Sequence, residues 1–336
     1  MASIEAPALV NAHSRPTISF EIMPPRNPEI APKFWATARR LAAAQPDFIS
    51  VTYGAAGTDR DTSQAVVKRI TEQTSILPIA HLTCVGTSRS NVADTIAEFL
   101  SAGARTFLAL RGDPPKDQPN WQPPADGVHS SKELIALVRE VESKRCRANA
   151  ASALRSAAKP LTIAVATFLD GNSASGTTRE QEIEHLYEKQ VAGANFAITQ
   201  LFFNPSSYVE FVSAARAAGV TIPILAGILP TTDPARLRRV AELTGVAAPQ
   251  VLLDQLDAIT DPAERYRVGL QFAINLSQEV LRLGAPGLHI YTFNQSDAAI
   301  DLLEALNLGP QTTLFEEAFP SEFTALEDQS VLATTR

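Results

Sequence analysis

Eight short runs of β-branched and apolar residues recur along the chain, at 17–22, 48–52, 78–83, 105–110, 161–166, 195–201, 222–226 and 288–293. Most are continuously apolar rather than strictly alternating, the pattern of strands covered on both faces in a parallel sheet. Helical spacing fills the intervals. Ile183, Leu186, Tyr187, Gln190 and Val191 follow i, i+3, i+4, i+7, i+8, and Ala299, Leu302, Leu303 and Leu306 repeat the motif, so each predicts a helix lying on one sheet face. Helix starts carry a capping side chain followed by proline at Asn27-Pro28, Asn204-Pro205, Asp233-Pro234 and Asp261-Pro262, and Thr177 with Glu180 predicts a capping box. Ala102-Gly103, Ala192-Gly193 and Ala218-Gly219 stand just before strands, where glycine supplies the left-handed helix cap.

This repeated strand–helix unit also suits a doubly wound open sheet, but eight strands favour a (β/α)8 barrel of the TIM type. The expected barrel domain covers 17–308. Residues 1–16 and 309–336 are terminal extensions expected to be flexible, the second carrying Phe315, Phe319 and Phe323 among acidic and small residues. Two longer connections, 112–160 with Trp121 in a Pro/Asp/Gly-rich stretch and 227–286 with three helical patterns, read as insertions.

Composition narrows the partners. A formal charge of −7 with no long basic run lacks the phosphate-neutralising surface of a nucleic-acid binder, so small-molecule partners are expected. Cys84 and Cys146 are too few for a disulfide scaffold and have no metal-ligand spacing with the five histidines, so no metal is expected. No apolar run reaches membrane-span or signal-peptide form, which predicts a cytoplasmic protein with no membrane partner. Monomer and homo-oligomer both remain open.

In a (β/α)8 barrel the active site forms at the carboxyl ends of the strands, and those ends are polar here. They carry Glu21, Thr52-Tyr53-Gly54, His81 with Thr83, Arg111-Gly112-Asp113, Thr199-Gln200, and Tyr291-Thr292-Phe293-Asn294. A carboxylate among Ile18, Phe20 and Ile22 either finds a partner, with Arg111 as a candidate, or stays protonated with a raised pKa, the profile of a general acid. His81 alone reads as a satisfied core histidine, Asp113 before Pro114-Pro115 as a turn residue, and Gly54 and Gly57 as turn glycines. No GxGxxG or P-loop pattern is present, so a nucleotide would be held without such a loop.

Several segments, in order, resemble one family: Ser19-Phe20-Glu21 with Pro24-Pro25-Arg26, 48–54, His81-Leu82-Thr83-Cys84, Leu110-Arg111-Gly112-Asp113, Ala197-Ile198-Thr199-Gln200 with Phe202-Phe203, Gly227-Ile228-Leu229-Pro230 and 289–294. They are similar to methylenetetrahydrofolate reductases over about residues 17–308. The resemblance implies an FAD-containing barrel in which NADH or NADPH reduces the flavin and leaves, after which 5,10-methylenetetrahydrofolate binds and accepts the hydride. The 5-methyltetrahydrofolate formed supplies methyl groups for methionine synthesis. It further implies that Glu21 is the general acid that opens the folate's five-membered ring, that Asp113 sits by the flavin and binds the pterin, and that Gln200 contacts pterin and nicotinamide in turn. Thr52, Tyr53, His81, Arg111, Gly112, Ser130 and Lys189 would hold the cofactor, and Gln295 falls where the family places a folate-binding arginine. Two further departures concern the adenosine end of FAD. A Tyr-Pro-Glu segment and its His-Pro pair are replaced by Thr167-Phe168-Leu169-Asp170-Gly171-Asn172, and the helix that follows offers Glu182, His185 and Glu188, keeping only Lys189, so FAD is expected to bind weakly. The rival readings are a flavin-free reductase passing hydride directly from nucleotide to folate, a pterin-dependent methyltransferase barrel, and a barrel without enzymatic activity.

Overall fold

The computed structural model describes residues 15–53, 60–112, 124–173 and 175–309, and in it eight parallel strands close into a barrel in chain order. The strands are β1 (Thr17–Ile22), β2 (Phe48–Val51), β3 (Leu77–Thr83), β4 (Thr106–Leu110), β5 (Thr162–Thr167), β6 (Phe196–Thr199), β7 (Ile224–Ile228) and β8 (Gly287–Tyr291). Closure comes from β1 pairing with β8, with Glu21 beside Tyr291 in register. The expected (β/α)8 barrel is therefore the fold.

Helices cover the outside. After a short 3-10 turn capped by Asn27 come α1 (Ala31–Ala43), α2 (Arg60–Gln73) and α3 (Arg89–Ser101). Then follow α4 (Ser131–Ala148), α5 (Ala150–Ala158), α6 (Arg179–Val191) and α7 (Pro205–Ala217). The last four are α8 (Pro234–Thr244), α9 (Gln250–Ala258), α10 (Pro262–Arg282) and α11 (Ser296–Ala305), so the 227–286 connection holds the three helices its sequence predicted. Asn204, Asp233 and Asp261 each cap the helix that follows, accepting backbone N–H groups with proline at the first turn. Gly103, Gly193 and Gly219 all take positive φ before a strand, as the helix-end signals require.

Two layers of core result from the two-residue period of each strand. Phe48, Ile79, Leu108, Ala164, Phe196, Ile198 and Leu225 fill the barrel interior, while Ile18, Phe20 and Ile22 of β1 face outward into the larger layer shared with Phe34, Leu41 and the other helices. This corrects one expectation. The apolar neighbours of Glu21 in sequence lie on the opposite face, so its burial is set by residues of other strands.

Four local readings also change. The capping box of α6 is Thr178 with Gln181, not Thr177 with Glu180, because Thr177 spends its hydroxyl on the Glu182 carboxylate at 2.5 Å. On the same helix Ile183 and Leu186 are buried, but Tyr187 and Val191 are exposed, and Gln190 instead reaches sideways to accept the N–H groups of Thr221 and Ile222 before β7. Gly227 lies inside β7 rather than opening the next loop, its N–H donating to the Thr199 hydroxyl at 2.8 Å. Finally, β8 stops at Tyr291 because Phe293 and Asn294 turn into the left-handed region, where the Asn294 amide clamps Met23 by accepting its N–H at 2.8 Å and donating to its carbonyl at 2.6 Å. Trp121 lies outside the described residues, as do 1–14 and 310–336.

Candidate active site

The mouth at the carboxyl ends of the strands brings together Glu21 from β1, His81 from β3, Gln200 just past β6 and Tyr291 from β8. Inward-facing positions of β1 and β8 are polar, whereas those of the other strands are mainly apolar, so polar groups gather on one side of the barrel. One layer below the mouth, Ser19 and the His289 Nδ1 are hydrogen-bonded at 2.8 Å, and the His289 ring stacks on Phe48 with centroids 6.0 Å apart.

Glu21 is the group most altered by this setting. Its side chain keeps only 19% exposure, and burial pushes its carboxyl up to about 7 from an ordinary 4.5. The neighbouring imidazole does not offset this. His81 Nε2 stands 3.8 Å from a Glu21 oxygen, but burial holds His81 down to about 3, so the ring is neutral at physiological pH. That nitrogen has no hydrogen-bond partner among the described residues, an unusual condition for a buried polar atom and one that a ligand at the mouth can relieve. His289 is likewise held down to about 3 by burial, with His81 adding to the effect. The anticipated alternative partner of Glu21 is absent: Arg111 is exposed, donates from Nε to the Gly112 carbonyl at 3.4 Å, and makes no ion pair with it.

The remaining predicted residues fall into place unevenly. Thr52 is half-buried at the end of β2, its N–H donating to the Ile22 carbonyl at 3.0 Å, whereas Tyr53 packs against the layer between barrel and helices. Gly112 has a positive φ of 85° and a Cβ there would stand 2.6 Å from a Val85 methyl, so the backbone itself demands glycine. Ser130 caps α4 by accepting the Glu133 N–H. Lys189 turns inward and donates to the Ala166 carbonyl at 3.0 Å at the end of β5, with burial lowering its pKa. Gln200 accepts the Leu201 N–H at 2.9 Å, which orients its amide, and its own backbone N–H bonds the Thr167 carbonyl. Gln295 is exposed and accepts from the Arg236 guanidinium of α8. Asp113 lies outside the described residues, with Gly54 and Gly57.

Three residues had no role assigned from sequence. Tyr291 donates its hydroxyl to the Thr199 carbonyl at 2.8 Å, Gly227 leaves room for that ring, and Arg236 brings a guanidinium to the rim. A signal for two of them existed: the alternation Ser19, Glu21 and His289, Tyr291 in otherwise apolar strands, and a glycine in a strand interior.

A family model described as methylenetetrahydrofolate reductase matches residues 8–307. The chain belongs to the methylenetetrahydrofolate reductase family. Its relatives include the 5,10-methylenetetrahydrofolate reductase of Pectobacterium carotovorum subsp. carotovorum, 29% identical over 90% of this chain and 94% of that one, and that of Escherichia coli (strain K12), 28% identical over 90% and 95%. Methylenetetrahydrofolate reductase 2 of Saccharomyces cerevisiae is 30% identical, and the chain spans about half its length, 48%. Among solved structures, an uncharacterized Clostridium thermocellum protein that binds two copies of 5-methyl-5,6,7,8-tetrahydrofolic acid aligns at a TM-score of 0.57 and 14% identity over 87% of this chain and 93% of that one, which shows a common fold. In this reductase family the barrel mouth is the expected place for chemistry, and a carboxyl that burial raises to about 7 is its most distinctive group.

Proposed function

We propose that this enzyme reduces 5,10-methylenetetrahydrofolate to 5-methyltetrahydrofolate, with NADH or NADPH as the source of the hydride, in the cytoplasm and in support of methionine synthesis. The single observation that carries the reading is Glu21, a carboxyl with no described cation beside it and held up to about 7 by burial, at the mouth of the barrel. Near neutral pH a large fraction of it carries a proton. Reduction of the bridging carbon needs that proton: protonating the ring nitrogen lets the five-membered ring open to a cationic iminium, and the hydride then adds to the positively charged carbon. A neutral His81 adds no positive charge to lower the acid's pKa. Gln200, with its amide oriented by Leu201, is proposed to hold the pterin and then the nicotinamide by hydrogen bonds, and Asp113 is proposed as a second pterin contact.

FAD is proposed as the intermediate carrier, and the residues fit one half of it. His81, with an unpartnered buried nitrogen, and Arg111, an exposed guanidinium at the end of β4, suit the ring and phosphate region, with Thr52, Gly112 and Ser130 alongside. On α6 the match ends. Glu182 is buried and already bonded by Thr177, Glu188 pairs with Lys132 at 3.1 Å, and Lys189 is engaged by the Ala166 carbonyl. These groups are satisfied internally and offer the adenosine end few free donors, which supports weak retention of FAD. When bound, the flavin supplies the capacity to take a hydride from the nucleotide and pass it on.

The folate tail ends in carboxylates, and the rim supplies an answer to the missing arginine at 295. Arg236 reaches Gln295 from the first turn of α8, and among the described residues it has no carboxylate partner. It is proposed to take over the electrostatic part of tail recognition.

The deciding experiment compares wild type and Glu21→Gln in two assays: reduction of methylenetetrahydrofolate by NAD(P)H, and nucleotide oxidation by an artificial acceptor. The wild type should form 5-methyltetrahydrofolate. The variant should lose about a hundredfold or more of folate reduction while keeping the second activity, because only the folate half needs a proton donor. Equal losses in both assays would remove Glu21 from the acid role, and no nucleotide oxidation by the wild type would remove the reductase reading.

A further inference from the structure

Glu21 and Tyr291 are register partners on adjacent parallel strands, so both side chains leave the sheet on the inner face. The Tyr291 hydroxyl is not spent on its neighbour's carboxyl. It donates to the Thr199 carbonyl at 2.8 Å, which carries the ring from β8 across β7 to β6. Gly227 makes the crossing possible, because a Cβ at that position would stand 2.8 Å from the Tyr291 ring and closer still to the Thr199 carbonyl oxygen. The His289 ring meets Tyr291 edge-on, with centroids 5.2 Å apart, and is itself tied to Ser19. Tyr291 is thus fixed by a hydrogen bond, a ring contact and a glycine-sized gap.

We infer that Tyr291 is a positioning residue for Glu21: its ring, anchored on the Thr199 carbonyl over Gly227, excludes water from one side of the carboxyl, while its hydroxyl is spent on that carbonyl. The inference rests on Glu21 being the proton donor proposed above. Two titratable side chains face the carboxyl among the described residues, His81 from β3 at 3.8 Å and Tyr291 from β8, with His289 one layer below and no Lys or Arg within 4.0 Å. A buried setting with no cation beside it penalises the ionised acid, which agrees with burial as the cause of its raised pKa. The sequence contains the parts, but only barrel closure brings β8, β7 and β6 under the acid of β1.

The test titrates the Glu21 carboxyl directly, by infrared difference spectra of the protonated carboxyl band across pH, with Glu21→Gln identifying the band. The band needs no turnover. Wild type should titrate near 7. Tyr291→Ala, which admits water, should lower the midpoint by about one pH unit or more, and folate reduction at pH 7.5 should fall about tenfold as the protonated fraction falls. Tyr291→Phe keeps the ring and should retain most of the wild-type midpoint. If Tyr291→Ala does not fold, Tyr291→Leu leaves part of the ring's space open and should move the midpoint in the same direction. An unchanged midpoint in the folded Ala variant overturns the inference, as does an equal shift in Phe and Ala. A carboxyl that titrates as expected, in a protein whose Glu21→Gln variant still reduces folate, overturns the acid assignment and leaves the role of Tyr291 standing.

Discussion

Replacing Glu21 by glutamine should make the protein more stable at alkaline pH, and the size of the effect follows from its surroundings. In the folded barrel the carboxyl titrates at about 7, against 4.5 in the unfolded chain. The folded state therefore binds this proton more tightly, so the cost of the ionised group is absent well below 4.5, builds as pH rises from 4.5 to 7 and is complete above 7. Fully ionised, a shift of this size corresponds to about 3 kcal/mol. Because 19% of the side chain still meets water, solvation trims the cost, and about 2 kcal/mol is the expected gain for the neutral, isosteric glutamine at pH 8. His81 and His289 act in the opposite sense, since their pKa values are depressed to about 3 and their stabilisation is lost as pH falls below 6.5. Both proteins keep both histidines, so that trend cancels in the difference. Urea unfolding at pH 8 and pH 4.5 gives the comparison: the variant should be more stable at pH 8 and equal to wild type at pH 4.5. A variant less stable than wild type at pH 8 would show that the ionised carboxylate is compensated and its pKa not raised.

Three other outcomes test the proposed site. Gln200→Ala should weaken folate and nicotinamide nucleotide together by about five- to tenfold each, as expected for loss of one hydrogen-bonding amide that serves both ligands; steady-state KM values with each substrate varied would show a change in one alone if the sites are separate. Arg236→Ala should raise the KM for folate several-fold, about 1 kcal/mol of tail recognition, and leave nucleotide oxidation by an artificial acceptor unaffected; an unchanged folate KM would remove Arg236 from the tail site. Freshly purified protein should show a flavin absorption spectrum that fades on dilution, with activity restored by added FAD, and a colourless protein fully active without FAD would select direct hydride transfer from nucleotide to folate.

The sequence by itself determined the architecture and singled out Glu21 as the candidate acid. Eight apolar runs separated by capped, glycine-terminated helices can bury their faces in few ways, and asparagine or aspartate before proline marks helix starts locally, so these features survived folding unchanged. Glu21 was legible because a carboxylate at the end of an apolar strand must be paired or protonated. Which of the two applies was decided by tertiary structure. Chain alternation turned Ile18, Phe20 and Ile22 away from it, Arg111 stayed at the exposed rim, and His81 arrived from β3 as a neutral neighbour. The capping register of α6 also escaped local reading, since Thr177 and Thr178 are equivalent in sequence until the Glu182 carboxylate claims one of them. The setting of Tyr291 over Gly227, and of Arg236 against Gln295, joins residues 64 and 59 positions apart in sequence. Such pairings depend on which strands and helices become neighbours when the barrel closes, and no local spacing in the chain encodes them.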